Sequence, residues 1–446
     1  LIEFWMNLPL GLRCLLLTIL GLFAGALANH VISTYAYITP RPISPWTRQS
    51  RWLAVPEKHR PSSWTGDWWK ARNWLDCIPV IGWFRLTREA SVHGRGFWVR
   101  PLLIELTMAI GLPALYHYEA LAGGLLPAAA AANPGFLKTF EPVGTTIFFA
   151  HAILVTLMVA ATFIDLDEKT IPDIITIPGT WMGLIVGTIS TSIFMPTSLP
   201  VGGDVTSIKE TTFDSPWFGP PGIWFSGAGF LVAVLIWSVW CFALADRRWS
   251  GIVARRRGLG RAIRHFTNGL FHYGSWKILL SMWAVGFLLL LTVFKIGGTP
   301  WHGLFTSLVG LAVGGGIVWA IRIIASWAMN MEAMGFGDVT LMAMIGAFIG
   351  WQGSLAAFFL APFTAIFIVI IQYIITRDAQ VPFGPYLCAG TLLTILKWDS
   401  VYNGWFAYNI ITLGPMLLWI SVSMLGLMGV MLFVWRQIKY RLIYRE

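Results

Sequence analysis

Two short acidic stretches of this 446-residue chain carry the residue types best suited to chemistry. The first runs Phe163-Ile164-Asp165-Leu166-Asp167-Glu168-Lys169-Thr170-Ile171-Pro172-Asp173 and follows a long apolar run. The second, Met334-Gly335-Phe336-Gly337-Asp338, joins two other apolar runs. A carboxylate at membrane depth costs about 2.5–3.5 kcal/mol on insertion scales, so one retained there usually faces a hydrated cavity and has a task. Singly, each stretch has an ordinary reading. Acids at helix ends are usually solvated interfacial groups, and Gly and Asp are common turn residues. Together, at matching cytoplasmic depth, the two stretches outweigh those ordinary readings.

Two such carboxyl groups brought together share a proton, because adjacent like charges do not both ionise cheaply. The ionised one can take a proton from water while the other donates to a carbonyl oxygen. That is general acid–base peptide hydrolysis without a covalent intermediate. Gly335 and Gly337 have a separate rationale, since Gly admits unusual dihedrals and removes the bulk that keeps another backbone at a distance. An unwound peptide could lie against that turn. Asp167 and Asp173 either cap the following helix or orient the pair.

The elements that must position these groups are membrane helices. The chain is 56% hydrophobic and only 12% charged, with a mean hydropathy of +0.68. A soluble domain carries about twice that charged fraction. Apolar spans are expected at roughly 8–37, 101–126, 143–164, 175–195, 223–245, 278–297, 304–328, 339–351, 354–376, 384–397 and 410–435, which makes about 11 transmembrane helices in an all-α polytopic membrane protein. The segments 339–351 and 384–397 are short enough to be re-entrant or tilted. The first run, Leu8 to Ile32, is long and no small-residue cleavage site follows it, so it reads as a span and not a removed signal.

A net charge of +10 and a pI near 9.6 would suit nucleic-acid binding, but the basic residues cluster in a few inter-helix segments. That is the pattern of Lys and Arg retained on the cytoplasmic side. The expected partner is the bilayer, with no nucleic acid. Arg41 to Arg100, Arg247 to Lys277 and the tail after Trp435 carry these charges. Alternating sides from an outside N-terminus puts all three within the cytoplasm, with a cytoplasmic C-terminus. The same count brings 165–170, 331–338 and 377–385 to the cytoplasmic face and leaves 196–222 outside. Cys14, Cys77, Cys241 and Cys388 form no CxxC pair, so neither a disulfide framework nor a thiolate metal site is expected. Gly314-Gly315-Gly316 is expected to allow close helix packing.

With these motifs in view, the chain resembles the type IV prepilin peptidases, GxGD intramembrane aspartyl proteases. That family carries Ile-Asp-x-Asp followed by Pro-Asp, then Gly-x-Gly-Asp. Here these are Ile164-Asp165-Leu166-Asp167, Pro172-Asp173 and Gly335-Phe336-Gly337-Asp338. The resemblance extends to Gly25-Ala-Leu-Ala-Asn29, Ile78-Pro-Val-Ile-Gly-Trp83, Leu341 to Gly346 and the turn Val381-Pro-Phe-Gly-Pro-Tyr386. It implies Asp165 and Asp338 as the catalytic dyad, with Gly335, Gly337, Asp167, Pro172 and Asp173 in support. It further implies substrates that are prepilins or pseudopilins, cut behind a short basic leader, and a home in the bacterial inner membrane. The acids Asp167, Glu168 and Asp173 would attract that leader.

The chain also departs from the pattern. Many members hold the N-terminal cytoplasmic domain with two CxxC pairs that bind zinc. This segment has only Cys77, so no zinc is expected, and Trp46, Trp52, Trp64, Trp68, Trp69 and Trp74 would form a small core or sit at the headgroups. Proteolysis needs no cofactor; S-adenosylmethionine enters only if the methyltransferase activity of bifunctional members is retained. The family commonly has Lys where Thr340 stands. About four spans separate the motifs, where typical members have two, which makes 200–298 an insertion. The expected organisation is a first helix at 1–38, a basic segment at 39–100, membrane regions at 101–199 and 299–446, and the insertion between them. The rival readings are a presenilin-type protease, a proton-coupled transporter for which His151 and Arg322 speak, and a silent assembly factor.

Overall fold

The computed structural model describes residues 2–35, 46, 73–90, 94–201, 205–216, 221–245, 275–331, 333–376, 382–414 and 416–443. Most of the 39–72 segment, with Trp52, Trp64, Trp68 and Trp69, lies outside the described residues, as do the basic stretch 246–274 and the turn residues 377–381. The chain divides into two compact units. One comprises Leu1–Gly124, Ala128–Ile175 and Gln372–Cys388; the other comprises Leu125–Pro127, Thr176–Ile371 and Ala389–Glu446.

The first unit is built on α1 (Leu10–Tyr35), α2 (Val99–Tyr116) and α3 (Pro134–Glu168). α3 starts where Asn133 accepts from the N–H groups of Gly135 and Phe136, with Pro134 in the first turn, where a missing N–H does no harm. α1 and α2 approach closely because Gly21 and Gly25 face the α2 backbone. A Cβ on Gly25 would lie 2.7 Å from the Glu105 Cα. Inside that contact sits Glu105, fully buried. Its carboxylate accepts from Trp83 Nε1 at 2.8 Å, Val80 N at 2.6 Å and Asn29 Nδ2 at 3.2 Å. Asn29 also donates to the Pro101 carbonyl at 2.9 Å. The segment Ile78 to Trp83 is thereby fastened to two membrane helices. Val80 makes the bond from a strained γ-turn (φ 65°, ψ −58°) closed by Ile81 N on the Pro79 carbonyl at 2.7 Å.

The short helices Trp74–Cys77 and Ile81–Leu86 flank this turn. Asp76, buried, accepts from Arg85 Nε at 2.9 Å, Arg88 Nη2 at 2.6 Å and Asn73 N at 2.9 Å. Trp83, Leu86 and Leu102 form the small core beside it. Trp46 donates to the Cys77 carbonyl at 3.1 Å, whereas Trp74 is 74% exposed. His151 lies 2.6 Å from Glu119, and both are fully buried.

The second unit contains α4 (Asp173–Ile189) from Thr176 onward, then a hairpin of β1 (Pro196–Val201) and β2 (Val205–Glu210), antiparallel, with Pro196 opposite Glu210. This hairpin was not expected in a stretch rich in Gly, Pro, Ser and Thr. It adds two strands to an otherwise helical fold, and Trp398 secures it by donating to the Pro196 carbonyl at 2.6 Å. Then follow α5 (Gly227–Ala243), α6 (Ser275–Ile296), α7 (Gly298–Met329), α8 (Phe336–Thr376), α9 (Gly384–Leu396, from Ala389 in this unit) and α10 (Met416–Ile443). Leu184, Trp237, Trp301, Phe305, Leu308 and Ala347 fill the core. Of the expected glycine patch, Gly314 and Gly315 pack on Met342 and Ala343, while Gly316 meets nothing within 4 Å.

α8 is two helices joined at Gly350, whose φ of 73° and ψ of 176° break the ladder there. The break falls where the expected spans 339–351 and 354–376 separate. Trp351 and Gln352 then turn to the carbonyls of Phe213, Thr212 and Ser215. Among the described residues seven helices are long and apolar enough to cross a membrane, and Asp173–Ile189, Gly227–Ala243 and Gly384–Leu396 are shorter apolar helices. The chain is an all-α polytopic membrane protein.

Replacing Glu105 by Leu is expected to lower the thermal unfolding temperature of the detergent-solubilised protein. Each buried donor left without an acceptor costs roughly 1–3 kcal/mol. Burial alone would raise the Asp76 pKa, but the bonds from Arg85, Asn73 N and Arg88 outweigh it and hold the carboxyl below its ordinary value. Its contribution to stability is therefore full above the ordinary carboxylate range and disappears as pH falls through the lower folded-state value. The amide protection factors of residues 73–90, which are corrected for the intrinsic pH dependence of exchange, should fall on acidification in the wild type, and Asp76→Asn should abolish that dependence.

Candidate functional site

The first acidic stretch ends α3. Asp165 sits on its last turn, 3% exposed, and its carbonyl accepts from Lys169 N at 2.8 Å, where Lys169 reverses the chain at φ 55°. The Asp165 Oδ2 accepts from the backbone N–H of Gly384 at 3.1 Å. Gly384 belongs to the Pro-Phe-Gly-Pro turn at the start of α9, and the two residues are in the same unit.

Asp167, two positions on, is already engaged. Its Oδ1 accepts from Arg100 Nη1 at 2.8 Å, while Arg100 Nη2 donates to the Phe163 carbonyl at 3.1 Å and the guanidinium lies 4.7 Å from the Phe163 ring centre. Asp167 therefore braces the end of α3 against the start of α2 and does not cap the next helix. Its charge is largely answered by Arg100. Pro172 precedes α4, and Asp173 stands in the first turn of that helix, where a carboxylate is favoured by the exposed N–H groups.

The second stretch lies in the other unit. Asp338, 8% exposed, occupies the first turn of α8, again at the positive end of a helix. Gly335 keeps space open before it. A Cβ there would meet, among the described residues, only Asp338 Oδ2 at 3.8 Å and Gly337 N at 3.9 Å. The Gly337 carbonyl accepts from Thr340 Oγ1 at 3.0 Å, and Thr340 Oγ1 accepts in turn from Thr176 Oγ1 at 3.0 Å. Thr340, where the resemblance leads one to expect a Lys, is fully buried against that hydroxyl. Arg322 reaches the loop from α7, with its Nε donating to the Met334 carbonyl at 3.1 Å and its guanidinium 5.5 Å from the Phe336 ring centre.

Asp165, Asp167, Pro172 and Asp173 thus share one unit, and Gly335, Gly337 and Asp338 share the other. Sequence reasoning had not assigned Gly384 or Arg100 a role. The signal for Gly384 was present in the Pro-Phe-Gly-Pro turn; for Arg100 there was only its membership of a basic run. No group of three or more metal-ligating side chains occurs among the described residues.

Comparison with known proteins adds a family. Residues 274–370 match the model of the type IV leader peptidase family. That stretch contains Asp338 and also α6, which the sequence reading had counted with the insertion. Curated relatives named prepilin leader peptidase/N-methyltransferase align with parts of the chain. The Aeromonas hydrophila protein is 30% identical over 106 residues, 23% of this chain and 36% of the relative. The Legionella pneumophila protein is 35% identical over 78 residues, 17% and 27% of the two lengths. That of Escherichia coli (strain K12) is 28% identical over 101 residues, 22% and 45%. The chain therefore spans about a third of the length of the first of these relatives. No solved structure matches it.

Arg322→Met should free the loop that leads into Asp338. Amide exchange at residues 333–337 is expected to quicken, with α7 and the later half of α8 unchanged.

Proposed function

We propose that this chain, a member of the type IV leader peptidase family by its segment 274–370, is an aspartyl endopeptidase whose dyad is Asp165 and Asp338. The observation that carries the reading is Asp338 itself: a carboxylate buried in the first turn of an apolar helix, behind a Gly335-Phe336-Gly337 turn, within the matched stretch. A buried acid at that depth has a task. In this mechanism the ionised member of the pair draws a proton from a water molecule, and that water attacks the scissile carbonyl carbon. The protonated member donates to the carbonyl oxygen, then the proton passes to the departing amine. No covalent intermediate and no cofactor is needed.

The proposed substrates are prepilins or pseudopilins with a basic leader, cut at the cytoplasmic face of a bacterial inner membrane. The apolar helix of the substrate would lie in the bilayer, while the acidic group Asp167, Glu168 and Asp173 attracts the leader. The open space beside Gly335 suits an extended backbone, which a side chain there would hold away. Methyl transfer, part of the name of the relatives, is not included in this reading; S-adenosylmethionine would be required only if it were retained.

Co-expression with candidate prepilins tests the dyad. Asp165→Asn and Asp338→Asn should each abolish leader removal, seen as a single slower band on gels, while the protein still accumulates in the membrane. Processing that continued in both variants would end the assignment.

A further inference from the structure

We infer that the Gly384 turn is a positioning device for Asp165, dividing its two carboxylate oxygens between a fixed one and a reacting one. This inference rests on the proposed catalytic role of Asp165. The Gly384 N–H donates to Oδ2 at 3.1 Å. Among the described residues no other hydrogen bond reaches the Asp165 side chain, so Oδ1 is the oxygen left for proton transfer. A backbone N–H is the most rigid donor a chain can offer, because it brings no rotamer freedom of its own. Here it is set by Gly384 at the first residue of α9, where the N–H has no carbonyl of its own helix to serve.

Gly384 is a glycine for a reason of space and not of dihedral angle. A Cβ at this position would lie 2.5 Å from Asp165 Oδ2, 2.8 Å from Ile171 Cδ1 and 3.3 Å from Asp165 Cγ. Real Cβ atoms do not come that close, so any side chain must displace the carboxylate, the isoleucine or both. Ile171, itself 3% exposed, closes the other side of the contact. The carboxylate is thus held by a donor from outside the acidic motif, in a space that Ile171, from within that motif, leaves too narrow for a side chain at Gly384. The same grip fixes which oxygen faces away from the turn. Proton transfer is sensitive to that choice, since a displacement of about 1 Å at a reacting group costs on the order of a hundredfold in rate.

The test separates displacement of the carboxylate from loss of packing. Ile171→Val removes only the Cδ1 methyl, the isoleucine atom that a new Cβ would meet. Gly384→Ala in the Ile171→Val background therefore leaves Asp165 as the one group that must move. Detergent-solubilised enzyme is assayed on a prepilin peptide for kcat and KM, with Ile171→Val alone as the packing control and Asp165→Asn as the control for the catalytic assignment. The double variant should keep the unfolding temperature of Ile171→Val, lose kcat roughly a hundredfold and leave KM within about twofold, with a pH–rate profile altered from that of the control. Wild-type kcat in the double variant, a loss carried in KM alone, or failure of the double variant to fold would each overturn the inference. These results are distinct from failure of the underlying reading, which would appear as cleavage by Asp165→Asn.

Discussion

A charged group taken into a bilayer has no water to turn to, so the chain itself must supply its donors. That constraint organises the first unit. Glu105 receives three of them, from Val80, Trp83 and Asn29, and is thereby committed to structure. Asp165, at comparable burial, receives one from Gly384. The difference separates an anchoring carboxylate from one with an oxygen to spare. Burial alone does not distinguish the two; the count of donors does.

Small residues meet the same constraint in another way. With hydrocarbon on the outside there is little hydrophobic drive to press helices together, so close backbone approach and packing take over. Gly25 gives α1 access to the backbone at Glu105. In the second unit Gly310 and Gly346 bring α7 and α8 into mutual backbone contact, so that Thr340 can be buried beneath the Asp338 turn. Where the helix must break, Gly350 takes a conformation that other residues rarely adopt, and Trp351 and Gln352 hand their donors to the 211–216 loop.

Apolar length was the strongest signal in the sequence, and each segment read as a span contains a helix, although the helix in 175–195 ends at Ile189 and 410–435 is interrupted at Gly414. The β1–β2 hairpin was not legible, because its composition is that of a loop and its anchor, Trp398, comes from about two hundred residues later. The acidic motifs were legible as residue types but not as environments. Asp167 looked like a free acid until Arg100, 67 positions earlier, was found against it. Gly384 lies 219 positions from Asp165, and nothing local to either residue announces the bond. Thr340 read as the loss of a lysine, whereas its hydroxyl completes a chain from Thr176 to the Gly337 carbonyl.

Arg100 occupies a mechanical position. It stands in the first turn of α2, just after the segment knotted by Asp76 and Glu105, and its guanidinium grips both the Phe163 carbonyl and Asp167. It acts as a strut between a polar headpiece and the last turn of α3. Its two contacts link the start of α2 directly to the end of α3 that carries Asp165, with no loop between them.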